Sequence, residues 1–179
     1  MLSTSREKRG SADRVQADFD RLPFAANSFD AVFSNFSIQW SEEGCVLQEV
    51  YSALQPGGYF ALSTVLTGSL QEIKNAWLQV DNDRHTHSFV DEDLLRQRLT
   101  CCGFDIIALD VVDICEHFAS VEELLASVKG IGAGNHLLNR PRSTMPKGRY
   151  KQFVKRLAEN QTDQGYPLSY RIARVVVKK

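Results

Sequence analysis

The sequence predicts an α/β protein built on an open, mainly parallel sheet, and three observations predict it. Short apolar runs alternate with stretches of helical period along most of the 179 residues, the pattern of strand–helix–strand units. The run at 59–66 (YFALSTVL) is almost continuously hydrophobic, as a strand covered on both faces must be. The run at 30–35 ends in Ser34 and Asn35 and leads on to Gln39 and Trp40. Amides and hydroxyls at a strand's carboxyl end need partners, and that end of an open α/β sheet is where ligands bind.

In chain order, residues 14–19 (RVQADF) make the first strand candidate, and the turn-rich DRLPFAANS separates it from the strand at 30–35. Over 42–54, apolar residues at Val46, Leu47, Val50, Tyr51 and Leu54 recur with the period of an amphipathic helix. The following QPGG stops that helix, since proline and glycine are its usual breakers. After the strand at 59–66 come helices over 69–80 and 91–102, opened by the capping residues Ser69 and Asp91. The segment 104–114 (FDIIALDVVDI) alternates as a more exposed strand. Helices at 121–128 and 147–160 and a strand at 170–178 complete the order. Nothing between the last two strands reads as a crossover, so they are expected to lie antiparallel at one edge. Residues 130–147 form the one long irregular segment, and loops of that length are usually functional or disordered.

The length suits one domain with a real core and is too short for two ordinary ones. No run approaches the roughly 18 apolar residues of a membrane span, and the polar opening MLSTSREKRGS does not read as a secretory leader. No membrane partner and a cytoplasmic location are therefore expected. Cys45, Cys101, Cys102 and Cys115 lack metal or disulfide spacing and read as reduced thiols. The net charge of −1 hides an asymmetry: from Lys129 onward stand 12 Lys and Arg against Glu159 and Asp163. Such a basic end fits either an acidic partner or a plain solvated face. It lacks the interleaved aromatics of a base-stacking platform, so no nucleic acid partner is expected.

Two stretches, 17–40 (ADFDRLPFAANSFDAVFSNFSIQW) and 54–73 (LQPGGYFALSTVLTGSLQEI), resemble the second half of a class I S-adenosylmethionine-dependent methyltransferase. More particular segments, SNFSIQW, GSLQEIKNAWLQVD, VKGIGAGN and YPLSY, occur in order and are similar to the malonyl-acyl-carrier-protein O-methyltransferases of biotin biosynthesis. The resemblance covers essentially the whole chain. It implies a Rossmann-like class I methyltransferase sheet, incomplete on its N-terminal side, with an antiparallel edge strand. The chain would be a single partial domain over 1–179, with a helical substrate- and carrier-docking insertion around 115–165. In that family a GxGxG turn and a strand ending in an acidic residue come first, and neither stands ahead of the segments matched here. The expectation is a fragment, or a start codon placed too late. The implied cofactor is S-adenosylmethionine, the implied partner malonyl-loaded acyl carrier protein, and the reaction methylation of the free malonyl carboxyl.

That reaction needs positioning rather than acid–base chemistry. A carboxylate is already ionised at neutral pH, so no catalytic base is expected and the rate gain comes from orientation. By their match to the family, Asp18 and Phe19 lie against the adenine, the carboxylate accepting from the exocyclic amine and the backbone amide donating to the ring. The alternative for Asp18 is a loop or capping residue. Asn35 belongs to the cofactor site, and Gln39 and Trp40 line the acceptor pocket, unless Trp40 is plain core. Lys129 is the candidate cation for the acceptor carboxylate, with a lysine set favourably against its helix dipole as the alternative. Asn135 and Tyr170 add hydrogen bonds. The segment DNDRHTH is polar and follows a helix, so His85 reads as a substrate-loop residue and no metal is expected. Arg140, Arg142, Lys147, Arg149, Lys151 and Lys155 are the candidates for docking the acidic carrier. Two other readings stay open: a respiratory-complex assembly factor of the same superfamily, acting on a protein arginine, and a non-catalytic fragment.

Overall fold

The computed structural model describes residues 13–41, 44–81, 88–130 and 146–179. Among them, β1 (Phe29–Asn35), β2 (Leu54–Val65), β3 (Asp105–Phe118) and β4 (Tyr166–Lys178) form one sheet in the order β1-β2-β4-β3. β1 and β2 are parallel, and β4 runs antiparallel to both of its neighbours. The expected antiparallel pair therefore lies at one edge, with β3 outermost. Among the described strands, however, only one of the three pairings is parallel where a mainly parallel sheet is expected, because β4 returns against β2 as well as β3. The helices are α1 (Cys45–Ala53), α2 (Gln71–Leu78), α3 (Glu92–Cys101), α4 (Val121–Gly130) and α5 (Lys147–Ala158). Asp91 caps α3 by accepting from the Leu94 amide at 2.7 Å. Ser120 opens α4, its hydroxyl accepting from the Glu123 amide at 3.2 Å, while the Glu123 carboxylate accepts from the Ala119 amide at 3.2 Å.

Strand length sets the architecture. β2 ends where Val65 pairs with Ile172, whereas β3 and β4 stay paired as far as Phe118 and Tyr166. This ribbon projects beyond the sheet by residues 166–171 of β4, about 20 Å at ~3.3 Å per residue. Side chains alternate between faces along β4, and each face feeds a different core. Ala173, Val175 and Val177 join Phe60 and Leu62 of β2 under Val46, Leu47 and Val50 of α1 and Leu95 and Leu99 of α3. On the opposite face of the ribbon, Leu168 packs with Ile73, Ala76 and Trp77 of α2, Val121 and Leu124 of α4, and Phe153 and Leu157 of α5, with Tyr166 and Tyr170 at its margin. Trp77 and Phe153 stack there with ring centroids 4.1 Å apart.

Three further expectations are corrected. Residues 14–19 are not a strand. Among the described residues that segment finds no neighbouring strand to pair with, and Asp18 instead closes a tight turn onto Arg21. QPGG does more than end α1: Leu54 already pairs with Phe29, and Gln55 to Gly58 loop out before pairing resumes at Tyr59. Gly57 takes φ +82° in that kink, and a Cβ on Gly58 would lie 2.9 Å from the Gln55 carbonyl. Ser69 does not cap α2; its hydroxyl bonds to β4 instead. Elsewhere the strands outrun their expected bounds, β2 starting at Leu54, β3 reaching Phe118 and β4 starting at Tyr166.

Candidate functional site at the carboxyl ends of the parallel strands

The run of residues that ends β1 does so in partnership with β2. Asn35 stands opposite Ser63, and the Ser63 hydroxyl donates to the Asn35 side-chain oxygen. Register carries this polar row across the sheet, because Ser63 faces Arg174 of β4 and Arg174 faces Asp110 of β3, with which it forms an ion pair. Asn35, Ser63, Arg174 and Asp110 thus share one face. Phe33 lies on the same face and is 76% exposed.

Past Asn35, a 3-10 turn (Ile38–Trp40) folds the chain over the strand ends. Gln39 donates to the Phe36 carbonyl at 2.9 Å, and its side-chain oxygen accepts from the hydroxyl of the buried Thr64 at 3.4 Å. Trp40, half-buried, ends this turn. Ser41 then ties in the earlier loop: its hydroxyl donates to the Asp20 carboxylate and accepts from the Val46 amide at 3.1 Å. The Leu22 amide donates to Glu49 of α1 at 2.9 Å. These bonds hold the Asp18–Asp20 turn beside the 3-10 turn. Asp18 is exposed, with one carboxylate oxygen accepting from the Asp20 amide at 3.0 Å, and Phe19 packs its ring against the first core. Asp18, Phe19, Asn35, Gln39 and Trp40 are therefore gathered at the carboxyl end of β1.

The remaining described candidates belong to the ribbon and its helices. Tyr170 lies on β4, two residues beyond the Val65–Ile172 pair, on the same face as Asn35 and Ser63. It is half-buried, and burial, followed by the neighbouring Glu116 and Glu72 carboxylates, pushes its phenol above the ordinary value near 10. Lys129 is exposed in the last turn of α4, where the helix dipole also favours a cation. Lys147, Arg149, Lys151 and Lys155 are exposed on α5. Arg149 is held by Asp81 at 3.4 Å. His85, Asn135, Arg140 and Arg142 lie outside the described residues. Among the described residues no His, Cys, Asp and Glu group could hold a metal ion, and no helix is long and apolar enough to cross a membrane.

A methyltransferase-domain family model matches residues 1–62. Over its whole length the chain is 32% identical to a malonyl-[acyl-carrier protein] O-methyltransferase from Marinomonas sp. (strain MWYL1), and it covers 67% of that protein. The chain belongs to the malonyl-acyl-carrier-protein O-methyltransferase family. It is also 32% identical over its full length to the biotin biosynthesis bifunctional protein BioHC of Teredinibacter turnerae, spanning 33% of that longer protein. The fold matches the crystal structure of an S-adenosylmethionine-dependent methyltransferase from Mesorhizobium loti with a TM-score of 0.54 at 16% identity, over 100% of this chain and 76% of that one. Fold and family make this a class I methyltransferase chain whose cofactor is S-adenosylmethionine.

Sequence reasoning passed over the residues that knit the methyltransferase strand ends to the ribbon. Glu72, in the first turn of α2, accepts from the Ser169 hydroxyl at 2.6 Å and the Ser169 amide at 3.1 Å. The Ser69 hydroxyl donates to the Arg171 carbonyl at 3.1 Å and accepts from its amide at 2.7 Å. The Leu70 amide donates to the Ser169 carbonyl at 2.7 Å, and the Leu66 amide to that of Arg171 at 2.8 Å. Two of the family-like segments, GSLQEI and YPLSY, are thus bonded to each other, which was the signal available in the sequence.

Proposed function

We propose that the protein transfers a methyl group from S-adenosylmethionine to the free carboxylate of a malonyl group carried on acyl carrier protein, in the cytoplasm, as a step of biotin biosynthesis. The observation that carries this is the placement of polar strand-end groups and Tyr170 on one sheet face, beside a helix striped with lysines, in a chain of this family. The cofactor's adenosyl end fits what the β1 end offers. Asp18 is exposed with one oxygen bonded only within its own turn, leaving capacity to accept an amine, and the Phe19 amide lies next to it. Phe33 and Phe36 expose aromatic surface by the strand end, suited to a sulfonium. When bound, S-adenosylmethionine supplies an electrophilic methyl on sulfur.

This chain's residues then act by orientation. Asn35, fixed by Ser63, keeps its amide donors for the cofactor side, and Gln39, fixed by Thr64 and the Phe36 carbonyl, walls the acceptor side together with Trp40. Tyr170 and Lys129 offer a phenol and a cation to the malonyl carboxylate, and Asn135 and His85 are assigned to the same pocket. The helical region around 115–165 is the docking insertion. Its exposed Lys147, Lys151 and Lys155, with Arg140, Arg142 and Arg149, form the rim that receives the acidic carrier. The test supplies labelled S-adenosylmethionine in excess together with malonyl-loaded carrier or an arginine peptide. Label on the carrier as a base-labile methyl ester is expected. Label on the arginine, with the malonyl thioester ignored, overturns the proposal in favour of a protein-arginine-modifying enzyme.

A further inference from the structure

We infer that Glu72 is a positioning residue of the acceptor pocket: through its two bonds to Ser169 it holds α2 on the ribbon and fixes the Tyr170 phenol where a substrate carboxylate is received. This rests on the reading of Tyr170 as an acceptor-binding residue. Beyond Val65, β4 has lost β2 as its neighbour, so on that side residues 169–171 have no strand to pair with. The segment from Leu66 to Glu72 takes its place. The bonds from Leu66, Ser69, Leu70 and Glu72 all fall on Ser169 and Arg171, the two residues flanking Tyr170.

Most of these bonds are backbone or hydroxyl contacts that a plain loop can make. Glu72 differs because it brings a carboxylate into a part-buried position and spends both of its oxygens on one residue. A partly desolvated carboxylate is costly unless its bonds are charge-assisted, and these two are. The charge also acts on Tyr170, which faces Glu72 and Glu116. A phenol is already protonated at neutral pH, and the negative field pushes its pKa up in the same sense as burial, so the group stands as a donor, the form a carboxylate acceptor requires. The arrangement therefore anchors the stretch of β4 that carries this hydroxyl.

The experiment compares Glu72→Gln, Ser169→Ala, Ser169→Thr and Tyr170→Phe. Two readouts are taken: ultraviolet titration of the tyrosines, and the ratio of Kd for unloaded to malonyl-loaded carrier. Tyr170→Phe identifies the Tyr170 transition by its loss. In Glu72→Gln that transition should move to lower pH, and the preference for malonyl-loaded carrier should fall about tenfold, the size expected when a charge-assisted contact is disordered. Ser169→Ala should reduce the preference and Ser169→Thr, which keeps the hydroxyl, should restore it. Affinity for unloaded carrier should stay unchanged throughout. If Glu72→Gln leaves the Tyr170 transition in place, or moves it without touching the preference that Tyr170→Phe abolishes, Glu72 is not a positioning residue and the acceptor reading of Tyr170 stands. If Tyr170→Phe keeps the full preference, that reading fails and the inference fails with it.

Discussion

Reversing two lysines of α5 should weaken carrier binding about tenfold while sparing the cofactor. Lys147, Lys151 and Lys155 succeed one another at four-residue spacing, about 6 Å apart along the helix. Lys151 and Lys155 lie on the side of α5 away from the buried Phe153 and Leu157, and none of the three lysines has an ion-pair partner among the described residues. At about 6 Å from a partner acid in water, a unit charge contributes about 0.7 kcal/mol, and physiological salt roughly halves that to about 0.3 kcal/mol. Reversal removes the attraction and adds an equal repulsion, so Lys151→Glu with Lys155→Glu costs about 1.3 kcal/mol, close to tenfold in Kd. Fluorescence anisotropy with labelled malonyl-carrier measures it, and the difference should largely vanish at about 1 M salt, where the screening length is about 3 Å. Circular dichroism checks that α5 is intact. Equal loss of S-adenosylmethionine affinity would mean the lysines serve folding, and unchanged carrier affinity would remove α5 from the docking surface.

Further outcomes can be checked on the isolated protein. Phe153→Ala deletes a ring that is buried and stacked on Trp77, and should cost about 3–5 kcal/mol. Followed by Trp77 fluorescence in urea with Trp40→Phe as the common background, the second core should unfold at lower denaturant than in the parent, and an unchanged midpoint would refute its place in that core. Any self-association of the chain should be weaker for Phe33→Ser in sedimentation velocity, because Phe33 is an exposed aromatic on β1, which is outermost among the described strands. Identical sedimentation of both proteins would count against that edge as the contact. The raised Tyr170 phenol stabilises the folded chain fully below the unfolded tyrosine pKa near 10, and this contribution is lost as pH climbs through the higher folded value. Alkaline melts should show it, and Tyr170→Phe should flatten the loss; the same alkaline slope in both would contradict it.

The sheet was legible where burial writes continuous apolar runs, as in YFALSTVL and the RVVV of β4, and illegible where breakers sit inside strands. QPGG and YPLS carry Pro and Gly, which read as loops, yet they form the kinked start of β2 and the start of β4. RVQADF has the alternation of a strand, but pairing needs a neighbour, and a single sequence does not say whether one is there. At the site, Asn35, Gln39 and Trp40 were visible because polar groups interrupt an apolar run at a strand end. Glu72 was not, because its partner Ser169 lies 97 residues away and nothing local marks a carboxylate as half of a pair. Arg149 shows the opposite limit: its charge marks it as a docking candidate, while its bond to Asp81, 68 residues away, is written nowhere in the local sequence.

The parity of β4 ties these features together. Its odd-numbered residues from Ala173 to Val177 enter the first core, and its even-numbered residues from Tyr166 to Tyr170 border or enter the second, on the other face. Because the side-chain period is two, a slip of one residue would take Ala173, Val175 and Val177 out of the first core and Leu168 out of the second at the same time. Both cores therefore enforce one register. That register sets Tyr170 on the face that carries Asn35 and Ser63, with Arg174 and Asp110 completing the row across the sheet. That the candidate acceptor phenol shares a sheet face with Asn35 is thus fixed by apolar packing on both sides of a single strand. The bonds from Ser69 and Glu72 hold the flanking Arg171 and Ser169, and the two cores decide the side on which Tyr170 stands.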